Sequence, residues 1–230
     1  MRVLFLNPVA EMGGAENALL EVIAGLRDAR PSWWIGLVAG ADGPLLQRAQ
    51  GLGADVRLLP FPPALSRFGE RSYGSGWRAR AAVGLRGLQA MSPVRQYVSQ
   101  LRALMRELAP DIIHSNGVKM HVLAAWSKPS RTPLVWHLHD YVARRRLSAA
   151  ILERCASRCS LAIANSRSVR DDFLTLRGTL PLLGAADDAT RRSCVALTTM
   201  FAGTTTVSAI VNAVIARANN PNAVRGICGW

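Results

Sequence analysis

The feature that most constrains the fold of this chain is a regular alternation, from Arg2 to about Leu176, of short apolar runs with helical patterns. Such alternation is typical of βαβ units, whose strands are parallel. Several of the apolar runs are continuous, so helices should cover both faces of the sheet. The sequence therefore predicts an α/β fold with a Rossmann-like, doubly wound parallel sheet. Six strands are predicted, at Val3–Leu6, Trp34–Val38, Val56–Leu59, Ile112–His114, Leu134–His137 and Leu161–Ala164.

Six helices are predicted between and after these strands, where apolar residues recur every three or four positions. Ser166 is the predicted N-cap of the last helix. The apolar run Val3–Leu6 is too short for a signal-peptide core, and Asn7-Pro8 interrupts it, so we expect the first residues to belong to the fold. The predicted helices are Ala15–Arg27, Pro44–Leu52, Pro93–Leu108, Val118–Ser127, Ser148–Arg158 and Ser166–Leu176.

The stretch from Phe61 to Ser92 departs from this rhythm, because it is rich in Pro, Gly and Arg and too long for an ordinary connection. From Pro62 to Arg106 the only acidic residue is Glu70. Two interpretations stay open: a solvated surface loop, or a basic amphipathic segment that docks on anionic lipid head groups. The second would use the membrane-contact residues Arg67, Arg71, Arg78 and Arg80.

The net charge of +13 comes almost entirely from arginine, since only Lys119 and Lys128 are lysines. An anionic membrane surface, a phosphorylated substrate or a nucleic acid would match this charge. Nucleic acid fits least, because the aromatic residues are not interleaved with the arginines as a stacking platform requires. We therefore expect no nucleic-acid partner.

The cysteine spacing indicates free thiols of a reducing cytoplasm. Cys155, Cys159, Cys194 and Cys228 match no familiar zinc pattern. Cys155 and Cys159 lie four residues apart on a predicted helix, so they should share a face. With no histidine nearby in the sequence, we expect them to face the core rather than to catalyse.

Beyond Leu176 the composition changes, since residues 177–230 contain no Glu, Lys, Gln, Tyr or His. The uncharged run Ser193–Ala216 is long enough to cross a bilayer, but its threonines make it a poor transmembrane candidate. We expect residues 1–176 to form one domain and residues 177–230 to be an atypical, packed or poorly ordered tail. A truncation or a reading-frame change near Arg177 would account for the break.

Four segments lie just past the carboxyl ends of predicted strands, where ligands bind in open parallel sheets. They are residues 13–16, 114–117, 137–140 and 165–167. The glycine pair Gly13-Gly14 lets backbone NH groups approach a ligand, and the helix N-terminus behind it favours an anion or a sugar oxygen. Histidines can bond hydroxyls or phosphates near neutral pH. Together the segments predict one cleft, with the substrate-binding candidates Gly13, Gly14, Glu16, His114, Asn116, Asp140, Asn165 and Ser166.

Two other site classes are weaker alternatives. His137 and His139 with Asp140 could hold a metal, but only the two histidines point the same way along a strand, so we predict no metal. The glycines Gly51 and Gly53 lack the third glycine of a dinucleotide-binding fingerprint, and they precede a strand instead of following one.

The site segments also carry a family resemblance over about residues 1–176. The motifs are Asn-Pro-x4-Gly-Gly-Ala-Glu before a leucine-rich helix, Asp-Ile-Ile-His ending at His114, Val-x3-His-Asp ending at Asp140, and Ala-Asn-Ser ending at Ser166. This set resembles the N-terminal domain of retaining GT-B glycosyltransferases of the glycosyltransferase 4 kind. The resemblance implies an acceptor-binding domain that faces a second, donor-binding Rossmann-like domain. It also implies that Gly13 and Gly14 line the cleft and that His139 is the catalytic residue beside the transferring sugar.

The family's donor groups have no match here. Its second domain holds the nucleotide sugar with a basic residue and two glutamates eight positions apart, and no two of the six glutamates of this chain have that spacing. The resemblance therefore implies a half that binds a saccharide or lipid-linked acceptor in envelope polysaccharide or glycolipid synthesis, at the cytoplasmic face of the membrane. We expect weak or no transfer by the chain alone, no bound cofactor, and a nucleotide sugar as co-substrate once a donor domain is supplied. The alternative is a non-catalytic module that binds an anionic membrane or a separate donor-domain partner.

Overall fold

A parallel sheet organises the chain, and a computed structural model describes it over residues 1–62, 77–143, 145–178 and 195–197. The strands are β1 Arg2–Asn7, β2 Trp34–Ala39, β3 Asp55–Leu58, β4 Ile112–Asn116, β5 Leu134–Leu138, β6 Leu161–Ala164 and β7 Val195–Leu197. They form one seven-stranded sheet in the order β3-β2-β1-β4-β5-β6-β7, and every pairing is parallel. The six predicted strands are confirmed.

The strand order reverses at β1, which pairs with β2 on one side and with β4 on the other. Val3 is in register with Ile35 of β2 and with Ile112 of β4. The chain leaves β1 toward one side of the sheet and β4 toward the other, so their loops separate and leave a crevice at their carboxyl ends. This crevice is the place at which an open parallel sheet binds ligands.

Helices cover both faces of the sheet, as the continuous apolar strands predict. On one face Val3, Phe5 and Leu37 belong to a buried cluster with residues of the first two helices. On the other face Leu6 and Trp136 pack with residues of the remaining helices. The helices are α1 Gly14–Ala29, α2 Pro44–Gly51, α3 Trp77–Leu108, α4 Val118–Ser127, α5 Arg146–Cys155 and α6 Arg167–Gly178, with a 3-10 turn at Ala156–Arg158.

The interpretation of the stretch from Phe61 to Ser92 as a surface loop is wrong for its second half. Helix α3 begins at Trp77 and continues through Pro93, whereas the predicted helix began at Pro93. Ten of the 16 residues 77–92 are Ala, Arg, Leu or Gln, and these strong helix formers outweigh the proline. Arg78 and Arg80 lie in the first turn of α3, where the backbone alone is described. Arg67 and Arg71 lie outside the described residues.

One strand was missed within the residues assigned to the tail. Val195–Leu197 pairs in parallel with Ala162–Ala164 at the edge of β6. Three residues are too few for a periodic pattern, so pairing with an open strand edge, and not local sequence, defines this element. Residues 179–194 and 198–230, with Cys194 and Cys228, lie outside the described residues.

The expected helix over Ser148–Arg158 is shorter than predicted, because α5 ends at Cys155 and a 3-10 turn follows. Cys155 is buried, as expected, and its burial raises the pKa of the thiol. Cys159 lies beyond the turn, where its thiol donates to the carbonyl oxygen of Leu161 at 3.1 Å. The two free thiols therefore do not share a helix face, and that part of the prediction is wrong.

Across the described helices, none is both long enough and apolar enough to cross a bilayer.

Candidate functional site

The loop between β1 and α1 is closed by a buried side-chain contact. Asn7, the last residue of β1, is fully buried, and its Nδ2 donates to the carbonyl oxygen of Val9 at 2.7 Å and to Oε1 of Glu16 at 3.1 Å. Glu16 is buried in the first turn of α1. The carboxylate therefore fixes the start of the helix against the end of the strand.

The two glycines of this loop differ in what surrounds them. A Cβ on Gly13 would lie 2.9 Å from Oε2 of Glu16, whereas a Cβ on Gly14 would meet nothing within 4 Å. Gly13 precedes α1 in an extended conformation without a side-chain cap. The first NH groups of α1 therefore receive no capping hydrogen bond from the side chain of the N-cap residue, which is the arrangement that suits a polar or anionic ligand.

Strand β4 ends in buried polar residues. His114 and Asn116 lie on one face of the strand, each about 1% exposed. Ser115 lies on the opposite face, where its Oγ is 2.8 Å from Nδ1 of His121 on α4. Gly117 follows with φ 74° and ψ 144°, and a Cβ there would approach Cγ of Pro8 to 3.0 Å. The β4 loop therefore needs glycine where it passes the β1 loop.

The histidines of β4 and β5 form a contiguous group. The ring centroid of His137 lies 5.4 Å from that of His114 and 4.0 Å from that of His139. Asn116 is the register partner of His137. The strand pairing thus brings together polar residues that lie more than 20 positions apart in the sequence.

The fourth segment completes the edge after β6. The backbone NH of Asn165 donates to the carbonyl oxygen of Leu138 at 3.1 Å. Ser166 Oγ accepts the backbone NH of Val169 at 3.2 Å, which confirms its predicted N-cap role. Oδ2 of Asp172 on α6 accepts the backbone NH groups of Val142 and Ala143 at 2.6 and 3.0 Å. That carboxylate holds the segment that follows His139 and Asp140.

Burial keeps the histidines neutral near pH 7. All four histidines of the chain lie within electrostatic reach of one another. Burial, assisted by the charge that His139 would carry, lowers the pKa of both His114 and His121 to about 3. The pKa of His137 is lowered in the same way. Burial also lowers the pKa of His139, although the charges of Asp140 and Glu16 oppose that shift.

Most of the buried polar atoms that lack a hydrogen-bond partner lie at this edge. Of eleven such atoms in the described residues, nine belong to side chains at or near the carboxyl ends of β1, β4, β5 and β6. Buried polar groups are normally paired, so a concentration of unpaired ones calls for an explanation. The residues that carry these atoms are Asn7, His114, Asn116, His137, His139 and Asn165.

These side chains form two layers. His114, Asn116 and His137 are buried, whereas His139 and Asn165 are half-buried and Asp140 is exposed. A ligand at the edge would reach the outer layer, with the neutral inner layer behind it. Uncharged imidazole and amide groups both donate and accept hydrogen bonds, which suits a ligand rich in hydroxyl groups.

The fold therefore brings most of the predicted binding residues to one edge of the sheet. Asp140 and Glu16 both lie close enough to His139 for their charges to raise its pKa, against the effect of burial. Ser166 differs, because its hydroxyl caps α6. Sequence reasoning missed Asn7 and His121 as members of the cluster. Asn7 had a signal, as the polar end of an apolar strand, whereas His121 joins the cluster only through helix packing. Within the described residues, no three His, Cys, Asp or Glu side chains are arranged to hold a metal ion.

The sequence matches a protein-family model, and the fold matches solved structures. A family model described as Glycosyltransferase Family 4 matches residues 12–181. No curated protein sequence matches the chain.

The solved structures that the chain resembles share its fold at low sequence identity. HepE of Anabaena in complex with UDP is 21% identical, with a TM-score of 0.56 over 96% of this chain and 51% of that one. The lipopolysaccharide outer core galactosyltransferase WaaB in its apo form is 12% identical, with a TM-score of 0.52 over 86% of this chain and 45% of that one. This chain therefore spans about half the length of these structures.

Proposed function

The chain belongs to glycosyltransferase family 4, and on that premise we propose that the carboxyl edge of its sheet binds a saccharide or lipid-linked acceptor. The observation that carries the proposal is the concentration of buried, unpartnered and uncharged polar atoms at that edge. Sugar hydroxyls donate and accept hydrogen bonds without charge, and so match the imidazole of His139 and the amide of Asn165 in the outer layer. We assign the acceptor to envelope polysaccharide or glycolipid synthesis, because WaaB, which shares the fold, is a lipopolysaccharide galactosyltransferase.

In this proposal His139 lies beside the transferring sugar as the catalytic residue. It is the half-buried member of the histidine group, next to the exposed carboxylate Asp140 and within reach of the charge of Glu16. A neutral imidazole in this position can hydrogen-bond a sugar hydroxyl or accept a proton. Gly14 leaves open space at the start of α1 for a close approach of the ligand.

The second part of the proposal concerns the sugar donor. HepE has been solved with UDP and with UDP-glucose, and this chain covers about half of that protein. We propose a nucleotide sugar as co-substrate, held mainly by a donor-binding half distinct from residues 12–181, which the family model matches. The chain assayed alone should then transfer little or no sugar.

The test compares Gly14→Ala with Gly51→Ala. Both positions leave a new Cβ without contacts, and alanine favours helix at both, so neither variant should unfold. Saccharides on an array and a polyprenyl-diphosphate-linked sugar in detergent serve as probes, with NMR shifts at Gly13, His139 and Asn165 as the readout. We expect Gly14→Ala to weaken binding about tenfold, and Gly51→Ala to leave it unchanged.

Two results would overturn parts of the proposal separately. If no probe shifts the resonances of the edge, or if both variants bind alike, the acceptor assignment is wrong. If the 230-residue chain binds UDP-glucose at micromolar concentration or turns it over, the assignment of the donor to another half is wrong.

A peripheral membrane contact is a second proposal, favoured by the helical state of residues 77–92. Arg78 and Arg80 lie on a helix and not in a loop, and Met91 further along it is 42% exposed. A basic helix with exposed apolar residues is suited to an anionic lipid surface. Co-sedimentation with phosphatidylglycerol vesicles should fall for Arg78→Gln/Arg80→Gln and as salt rises. Unchanged co-sedimentation of the double variant would contradict this contact.

A further inference from the structure

The amino edge of the sheet carries a basic pocket that the proposed functions do not use. It is a cavity of about 630 Å³, within the range typical of small-ligand sites. Its walls come from the C-terminal parts of α3 and α4 and from the segments that lead into β5 and β6. Four cationic side chains line it: Arg102, Arg106, Lys128 and Arg158.

The pocket and the histidine group lie at opposite ends of the same strands. Pro129 and Ser130 of the pocket precede β5, and Ser160 directly precedes β6, whereas His139 follows β5. A strand rises about 3.3 Å per residue, so β5 alone separates the two places by roughly 16 Å. A small ligand in the basic pocket therefore does not reach the carboxyl edge.

The charges of the pocket have no counter-ions in the described structure. Its lining contains no Asp or Glu, and neither ion pair found among the described residues involves it. Two of the arginines bond the last carbonyl groups of α4: Arg102 Nη2 donates to Trp126 O, and Arg158 Nη1 donates to Ala125 O, both at 2.7 Å. A helix C-terminus carries only about half a negative charge. Each guanidinium has five N–H donors, so most of them remain for a ligand.

Lys128 is fixed in the same wall. Its Nζ donates to the carbonyl oxygens of Pro129, Ser130 and Thr132 at 3.2, 3.2 and 2.9 Å. Burial and the nearby charge of Arg158 lower the pKa of Lys128, so these two cations are close enough to repel each other. An anion in the pocket would relieve that repulsion.

We propose that this pocket is an anion site for a phosphate-bearing ligand, either a soluble phosphorylated molecule or the phosphate of a lipid head group. Guanidinium groups bind phosphate oxygens through paired N–H donors. Trp126, which is 39% exposed in the same wall, offers a flat ring for the uncharged part of the ligand. Ser130 and Ser157 are both exposed, and both line the pocket.

The test titrates the 230-residue chain with inorganic phosphate, diphosphate and chloride at matched ionic strength. NMR resonances of the Trp126 indole and of the Ser157 and Ser160 amides report on the pocket. We expect saturable shifts with phosphate, tighter binding of diphosphate, and no saturable shift with chloride. Arg106→Gln should weaken diphosphate binding about tenfold. The matched control Arg48→Gln removes an exposed arginine of α2 and should leave the binding unchanged.

Vesicles distinguish the two sources of phosphate. Co-sedimentation with phosphatidylglycerol vesicles but not with phosphatidylcholine vesicles, lost in Arg106→Gln, assigns a lipid head group. Saturable diphosphate binding without co-sedimentation assigns a soluble ligand. The proposal is overturned if Arg48→Gln and Arg106→Gln weaken binding equally. It is also overturned if two results occur together: phosphate produces no saturable shift at the pocket, and the Arg106→Gln variant still binds phosphatidylglycerol vesicles.

Discussion

The two edges of this sheet collect opposite kinds of polar group. At the carboxyl edge, His114, Asn116 and His137 are buried, uncharged and without hydrogen-bond partners. At the amino edge, Arg102, Arg106 and Arg158 are exposed, charged and without counter-ions among the described residues. In an α/β fold, helices begin at the carboxyl edge and end at the amino edge, where their carbonyl groups attract cations. The contrast indicates hydroxyl recognition at one edge and anion recognition at the other.

The largest expected effect is a fall in the free energy of unfolding on acidification, caused by the histidines of the carboxyl edge. The pKa of His114 and His121 is about 3 in the folded chain against an ordinary value of 6.5, and that of His137 is also lowered. Below pH 6.5 the unfolded chain therefore binds more protons, and the free energy of unfolding falls as pH falls toward the folded values. We expect a loss of about 2 kcal/mol for each of His114 and His121 from pH 7 to pH 5.

Urea unfolding at pH 7, 6 and 5 measures this loss, and His121→Gln should reduce the slope by about one proton. A free energy of unfolding that stays constant between pH 7 and pH 5 would show that the histidines are already accessible to protons.

The next largest effect compares two glycines with positive φ, one at each edge. At the carboxyl edge, Gly117 has φ 74° and ψ 144°, a conformation essentially restricted to glycine, and its Cβ would approach Pro8 to 3.0 Å. At the amino edge, Gly53 has φ 78°, and its Cβ would lie 3.6 Å from the nearest atom. We expect Gly117→Ala to cost about 3 kcal/mol and Gly53→Ala about 1 kcal/mol. Urea unfolding of both variants checks this, and equal costs would contradict it.

A smaller effect is expected from removing either of two adjacent carboxylates of α6, whose contributions to stability should differ. Asp172 accepts two backbone NH groups from the segment after His139, whereas Asp171 pairs with Arg170 and its side chain is 60% exposed. We expect Asp172→Ala to cost about 2 kcal/mol, and Asp171→Ala no more than about 0.5 kcal/mol. Thermal unfolding compares the two variants. If Asp171→Ala costs as much, the tether to the His139 segment does not stabilise this edge.

The smallest expected effect concerns salt. Raising sodium chloride from 0.05 to 0.5 M shortens the screening length, so diphosphate binding at the amino edge should weaken several-fold. Saccharide binding at the carboxyl edge should change by less than about twofold, because the groups involved are uncharged. Calorimetric titrations at both salt concentrations provide the comparison. Equal salt dependence at the two edges would remove the distinction between them.

Much of the fold follows from local patterns that can be recognised in the sequence alone. The strands around Phe5, Leu37 and Ile163 are apolar throughout because both of their faces are covered, and that pattern predicts a parallel sheet without knowledge of contacts. The N-cap role of Ser166 is equally local. Prediction failed for two different reasons: Pro93 lies inside α3 because the helix formers of residues 77–92 outweigh it, whereas Val195–Leu197 becomes a strand only by pairing with β6.

The sequence by itself determined the order of strands and helices, the positive charge, and the four segments that resemble glycosyltransferase family 4. Periodicity and glycine placement act over a few residues, and both can be read along the chain. Only the tertiary structure decided which groups share an environment. Register places Asn116 beside His137, and packing adds His121. Arg102 of α3 and Arg158 of the 3-10 turn meet at one pocket, because both donate to carbonyl groups at the end of α4. Burial and unpaired charge depend on neighbours distant in sequence, and local patterns do not encode these neighbours.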